Sequence, residues 1–399
     1  MDLKSQNKNI TNLLKFINSS EGSNKLEIAE NIMVSPAALT KISKKLIAEN
    51  ILLEQKKIDE NGRKKNILLI NYERFYSIGV LIELKKIKIN ITNLKNEIIQ
   101  KFVIKNDYKN NFESFSEIIV LEIKKIIEDS VISLDEILGV GIVVSNDFIT
   151  DNSISLFKED RFSKIEKLVK YHLKKKVYIE SEIRALALYE AFLNPEYKNF
   201  FLVRYANTRG SSIIVDNKLI NPVVSHYRSM GNRHFIVEPN SEVYCDICKK
   251  RGCFETMVSP KYLFKEILKE NNNSERIRLL YENMKFDEFI ERAEKGEILE
   301  CKVLRKVAKY ISILIINHNN LLPLDTFFLS GKIFKSQLFI SYLKMYLQEF
   351  QLAEVHEKLV ILDTSLDKAE FSASFLAINY VFYNYHINNL DEREKSEIE

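Results

Sequence analysis

Residues 35–65 admit few folds. Ser35 can cap a helix, and Pro36 suits its first position. The stretch "AALTKISKKLI" then repeats apolar residues at helical spacing through Ala38, Leu39, Ile42, Leu46 and Ile47. Thr40, Lys41, Lys44 and Lys45 fall away from the centre of that face. Next, "ILLEQKKI" and "KKNILLIN" are expected as strands joined by "DENGR", whose Asn61-Gly62 pair favours a tight hairpin turn. Upstream, Ile10, Leu13, Leu14 and Ile17 predict a first helix, and Leu26, Ile28, Ala29 and Ile32 a short second one turned inward. Three helices and a basic hairpin make a winged helix-turn-helix. The third helix of such a module enters a major groove with its N-terminal residues leading. Ser35, Ala37, Thr40, Lys41, Lys44 and Lys45 are therefore candidate DNA contacts, and Arg63, Lys64 and Lys65 on the hairpin are placed to meet phosphates or an adjacent minor groove.

The charge distribution agrees. Residues 1–75 hold 13 Lys/Arg against 9 Asp/Glu, whereas the remaining 324 hold 46 of each, so the whole excess is N-terminal. A small basic module on a neutral body gives that pattern. A merely solvated helical face would explain the lysines but not the helix order and the hairpin that accompany them.

After Tyr72 the pattern changes. "FYSIGVLIEL", "KIKINITNL" and "EIIQKFVIK" are β-rich runs, and "FESFSEIIVLEIKKIIEDS" is a helix. Strand, helix, strand, helix follow in "ILGVGIVVS", "FSKIEKLVKYHLKK", "KVYIESE" and "IRALALYEAF". "NFFLVRYA" and "SSIIVDNKLI" are two further strands, and the rest is mostly helical with late strands at "DTFFLSG" and "LVILDTS". Alternation of this kind predicts an α/β body. No internal repeat or low-complexity linker is apparent. No run of eighteen apolar residues predicts a membrane span, and the start lacks a signal-peptide pattern, so a cytoplasmic protein without a membrane partner is expected. The chain has ten glycines in 399 residues, against a usual share of about 7%, which is a handicap for any site that must bring backbone N–H groups close to a phosphate.

Three of the four cysteines fall within nine residues, as Cys245-Asp246-Ile247-Cys248 and then Cys253, with His234 eleven residues upstream and Glu255 two residues after. A metal site, a disulfide, a reactive thiol and chance are all open. In a cytoplasmic chain the first and third outweigh the second. C-x-x-C suits zinc, because two thiolates on one turn can face one ion. Lys249, Lys250 and Arg251 would instead lower a thiol pKa and favour redox chemistry. Cys301, in a helical stretch, is expected to be a buried small hydrophobe.

The winged helix-turn-helix, the strand order and the His–Cys–Cys–Cys–Glu series together resemble the ROK family (repressors, open reading frames and kinases), most closely its sugar-responsive repressors. The resemblance covers essentially the whole chain. It implies a two-lobed actin-like, ribonuclease-H-like ATPase fold behind the DNA-binding domain, a homo-oligomer, dimer or tetramer, and a structural zinc ion. The domains implied are 1–72 for the winged helix-turn-helix, 73–180 for the N-terminal lobe and 181–399 for the C-terminal lobe, whose last helix packs back on the N-terminal lobe. The zinc ligands implied are His234, Cys245, Cys248 and Cys253, although the first pair is C-x-x-C where the family has C-x-C.

The departures from the family concern its enzymatic parts. Where family kinases carry a loop like "DIGGT", this chain has "IELKKI", with Lys85 and Lys86 expected to fill the phosphate space. The loop resembling "GTGIGAGI" corresponds to "NTRGSSI", with one glycine left. The family's sugar-binding Asn-Asp pair is replaced by Ser181 and Glu182, and "GEIGH" by "MGNRH". Only His234 and Glu255 survive of the usual polar set, so Ser181, Glu182, His234 and Glu255 mark a vestigial ligand pocket with a degenerate nucleotide site beside it. The expected function is a regulator, a repressor acting on a double-stranded operator, without kinase activity and without the family's ordinary hexoses. The alternatives are a repressor answering a phosphorylated or atypical sugar, a sugar kinase, a metal or redox sensor, and a scaffold for which no small-molecule effector exists.

Overall fold

The computed structural model describes residues 3–58, 64–107, 112–145, 148, 160–206, 209–220, 235–246, 248–272, 274–281, 284, 286–350, 353–363 and 368–384. Two compact units form. The first takes the described residues up to Val144, those of 160–180 and those of 369–384; the second takes Ser145, Phe148 and the described residues of 181–368.

The first unit begins with helices α1 (Leu3–Ser19), α2 (Lys25–Asn31) and α3 (Pro36–Ala48) and a three-stranded antiparallel sheet of β1 (Ser23–Asn24), β2 (Leu52–Ile58) and β3 (Lys64–Ile70) in the order β1-β3-β2. Local chemistry sets the helix starts. Asn24 accepts from the Glu27 N–H, and Ser35 from the Ala38 N–H, with Pro36 opening α3. Ile10, Leu13, Leu14 and Ile17 of α1 are buried with Ile28, Ala29, Leu39, Ile42, Leu46 and Leu68. Leu26 departs from the inward position its spacing predicted: it is 64% exposed, because it lies in the first turn of a seven-residue helix.

The rest of this unit is a five-stranded sheet of β4 (Tyr76–Ile82), β5 (Lys86–Asn93), β6 (Ile98–Lys105), β7 (Ile137–Val144) and β8 (Lys176–Ser181) in the order β6-β5-β4-β7-β8. The first three strands run antiparallel, and β7 returns parallel to β4. Helices α4 (Phe112–Glu128) and α5 (Asp160–Leu173) pack against each other.

The second unit repeats this topology. Its strands β9 (Phe200–Tyr205), β10 (Arg209–Val215), β11 (Lys218–Leu219), β12 (Thr326–Ser330) and β13 (Leu359–Ile361) take the order β11-β10-β9-β12-β13, antiparallel through the first three and parallel thereafter. "SSIIVDNKLI" is thus a hairpin rather than one strand; Asp216 and Asn217, both at positive φ, form its turn. Helix α6 (Glu182–Leu193) follows β8. Helices α7 (Phe254–Val258), α8 (Pro260–Glu270), α9 (Glu275–Tyr281), α10 (Phe286–Glu294), α11 (Ile298–Leu321) and α12 (Gln337–Glu349) complete the unit, around a core that includes Phe201, Val203, Leu304, Ile311, Phe327 and Phe339.

Helix α13 (Lys368–Ala377), followed by a π-helical turn at Ile378–Tyr383, lies on the first sheet. Its buried face begins small and polar, with Ala369, Glu370, Ser372, Ala373 and Ser374, and ends apolar with Phe375, Leu376 and Ala377. The Ser77 hydroxyl donates to the Ser374 carbonyl at 2.7 Å, and the Asn96 amide to the Phe371 carbonyl at 3.0 Å. Glycine makes this approach possible, since a Cβ on Gly141 would stand 1.9 Å from the Ala373 carbonyl oxygen. Gly141→Ala is therefore expected to destabilise the protein by at least about 3 kcal/mol, read as a lowered denaturant midpoint at unchanged m-value; a midpoint within error of wild type would contradict this packing.

Candidate nucleic-acid interface, cysteine cluster and altered pockets

Helix α3 divides cleanly. Leu39, Ile42, Ser43 and Leu46 are buried, whereas Ser35, Ala37, Thr40, Lys41, Lys44 and Lys45 are all exposed. Ser35 is committed to the cap, at 3.2 Å from the Ala38 nitrogen, and the Thr40 hydroxyl donates back to the Pro36 carbonyl at 2.8 Å. Lys45 lies 3.9 Å from Glu49, so Lys41 and Lys44 are the cations that α3 presents most openly. On the hairpin, Lys64 and Lys65 are exposed; Arg63 lies outside the described residues. The strand register adds two residues that sequence reasoning passed over. Lys57 sits directly opposite Lys65, and Lys56 opposite Asn66, all exposed. Lysines facing each other across a strand pair repel. An anion laid along the hairpin would relieve that repulsion.

The cysteines converge. The sulfurs of Cys245, Cys248 and Cys253 lie within 4.8 Å of one another, the first and third fully buried. The backbone makes this knuckle: the Cys245 N–H donates to the Lys250 carbonyl at 2.9 Å, the Lys249 N–H to the Cys245 carbonyl at 3.0 Å, and Tyr244 bridges Arg251. Lys249 and Gly252 turn the chain at positive φ, and a Cβ on Gly252 would meet the Glu238 carbonyl oxygen at 1.8 Å. Beside the cluster the Asp246 N–H donates to the Tyr262 hydroxyl at 2.7 Å. The Cys245 thiol and burial together push the Cys253 thiol well above its ordinary range, which a bound cation would reverse by taking the thiolate. A tetrahedral ion with sulfurs at about 2.3 Å holds them about 3.8 Å apart, so this donor set fits a thiophilic metal after slight contraction. His234, the expected fourth ligand, lies outside the described residues. Cys301 is only half-buried, with its thiol donating to the Ala293 carbonyl.

Of the vestigial pocket residues, Ser181, Glu182 and Glu255 are buried, and the two acids face cations; His234 lies outside the described residues. Glu182 lies 3.1 Å from Arg204, which also donates to the Ser330 hydroxyl. Glu255 stands 4.0 Å from Arg209. Ser181 is 2% exposed, and its hydroxyl finds no hydrogen-bond partner among the described residues. Arg204 was detectable as the single charge in the apolar run "NFFLVRYA". One oxygen of the Glu182 carboxylate is thus engaged by a guanidinium.

In the first unit the segment Ile82–Ile87 forms a closed turn. The Glu83 N–H donates to the Lys86 carbonyl at 2.9 Å, and the Asn106 amide clamps the Glu83 carbonyl at 2.7 Å. Lys85 and Lys86 are exposed at this turn. The interior lysine is Lys88, 3.8 Å from Glu83 and 3.7 Å from Glu370, with Lys101 2.8 Å from Glu370. Lys88, Asn90 and Thr92 lie on one face of β5; Lys86 shares their alternation but stands at the exposed start of the strand, beside Lys85 at the turn.

Among the described residues no helix is long and apolar enough to cross a membrane. The profile described as "ROK family" matches residues 77–375. The DNA-binding transcriptional dual regulator NagC of Escherichia coli (strain K12) is 21% identical over 316 residues, covering 77% of this chain and 76% of that protein. The xylose repressor of Bacillus spizizenii (strain ATCC 23059 / NRRL B-14472 / W23) is 22% identical over 335 residues, covering 81% and 82%. Among solved structures, a ROK family transcriptional regulator described as a homolog of the E. coli MLC protein superposes with TM-score 0.77 at 16% identity, over 97% of this chain and 99% of that one. The ROK hexokinase from Thermus thermophilus gives TM-score 0.60 at 13% identity, over 77% and 99%.

Proposed function

The chain belongs to the ROK family, and from that premise we propose that it is a sequence-specific DNA-binding transcriptional regulator, a repressor, whose body no longer phosphorylates sugars. One observation carries the reading. The third helix buries every large apolar residue but the half-buried Ile47 and turns Ala37, Thr40, Lys41 and Lys44 to solvent beside a hairpin lined with Lys56, Lys57, Lys64 and Lys65. That is the arrangement a major groove and its flanking phosphates accept. The likeness to a solved regulator supports it, since a match to 97% of the chain necessarily takes in the reading head.

In this proposal two copies associate and offer two reading heads to a two-fold-related operator. Lys41, Lys44, Lys56, Lys57, Lys64 and Lys65 neutralise phosphates; Ala37 and Thr40 face base edges. Cys245, Cys248 and Cys253, with His234, hold a zinc ion, which supplies a fixed tetrahedral staple and no open position for chemistry. Cys253 caps α7 and immediately precedes Phe254 and Glu255, so the staple fixes the start of the helix that carries Glu255. Fluorescence anisotropy against genomic fragments tests the main reading; retained free protein at every fragment and at low ionic strength would refute it.

Loss of catalysis is argued from the pairing of Glu182 with Arg204 and from the glycine-poor segments "IELKKI" and "NTRGSSI" where the family's kinases have phosphate loops. Calorimetric titration is expected to show no binding of Mg-ATP or glucose tighter than about 1 mM. Glucose-dependent turnover of ATP would return the protein to the kinases of its family.

A further inference from the structure

A single side chain joins the reading head to the far end of the chain. Asn18, in the last turn of α1, accepts at Oδ1 from the Tyr72 hydroxyl at 3.1 Å and from the Tyr383 hydroxyl at 2.9 Å. Tyr72 ends the head and begins the lobe, and its carbonyl accepts from the Leu94 N–H at 3.0 Å. Tyr383 is fully buried and closes the π-helical turn that extends α13. Such turns are rare and shift the helical register, and here the shift sits where the C-terminal segment touches α1. A second tie lies close in sequence: Arg74 donates to the Glu49 carbonyl, at the C-cap of α3, at 3.2 Å.

The seat of α13 is equally polar. Glu370 stands between Lys88 and Lys101, and Ser374 and Asn96 hydrogen-bond each other at 2.8 Å. These directional bonds act beside the buried Phe375 and Leu376, and unlike that apolar packing each of them is either made or released.

We propose that Asn18 is a positioning residue: its paired bonds to Tyr72 and Tyr383 lock α1 to the C-terminal turn and so fix the angle at which the first unit presents α3 to DNA. This rests on the DNA-binding reading. Release of Tyr383 frees the head without removing any cation from it. Loss of the lock therefore lowers affinity through lost pre-organisation while the number of phosphates contacted stays the same.

The test compares Tyr383→Phe and Asn18→Leu with Asn18→Asp, which keeps two acceptor sites. In the full chain without DNA, hydrogen exchange of the α1 amides is expected to quicken about tenfold in the first two variants and to stay near wild type in the third. Operator affinity is expected to fall about tenfold in the same two, with the slope of log affinity against log salt unchanged. Exchange and affinity at wild-type values in Tyr383→Phe and Asn18→Leu would overturn the proposal, as would a reduced salt slope, which would mean that phosphate contacts were lost instead. A wild-type protein that ignores DNA would defeat the DNA-binding reading, and the exchange rates would still decide the lock.

Discussion

Exchanging Cys253 for serine is expected to remove the metal and to lower the thermal midpoint by about 10 °C. Structural zinc contributes an apparent ~10–16 kcal/mol of folding free energy in isolated fingers. In the proposed site it would staple one loop of a large core, so only a fraction of that would reach global stability; about 3 kcal/mol in a unit of this size corresponds to roughly 6–12 °C. Cys253 is the cysteine to choose because it is fully buried, bridges Ile236 and immediately precedes α7, whose Phe254, Met257 and Val258 enter the core. Elemental analysis of protein purified without added metal, joined to calorimetry, decides the matter. Well under half an equivalent of zinc in a wild-type protein that melts normally would reject the staple.

The double replacement of Lys41 and Lys44 by alanine is expected to weaken operator binding about 100-fold near 0.1 M salt and to reduce the salt slope by nearly 2, at about 0.9 for each phosphate contact. Both side chains are exposed on α3 and alanine is a good helix former, so the head itself should stay folded. Lys45→Ala makes the internal comparison. Its ammonium already faces Glu49 at 3.9 Å, so its removal should change the slope less. Anisotropy titrations at several salt concentrations give both quantities, and an unchanged slope in the double variant would mean that α3 does not carry the phosphate contacts.

What the sequence made legible was local. Ser35-Pro36 marked the start of α3 correctly because capping acts within one turn, and the burial of Leu39, Ile42 and Leu46 followed from helical periodicity. Leu26 misled for the same reason: periodicity cannot tell which turn of a short helix reaches the core. The interior position of Lys88 was hidden because its partner Glu370 lies nearly three hundred residues away. The repeated topology left no repeat in the sequence, since strand order is set by tertiary pairing that many apolar patterns satisfy. Lys57 became a candidate only once the register put it opposite Lys65. Two expected site residues, Arg63 and His234, fall outside the described residues.

Because α13 closes the first sheet from the other end of the chain, the lobe that bears the reading head cannot finish folding until residues up to about Tyr383 have left the ribosome. A nascent chain thus exposes the polar face of β5 and lacks the tyrosine that anchors α1. The first unit is thus discontinuous in sequence, and a chain stopped before residue 368 leaves Lys88, Asn90 and Thr92 without the helix that covers them.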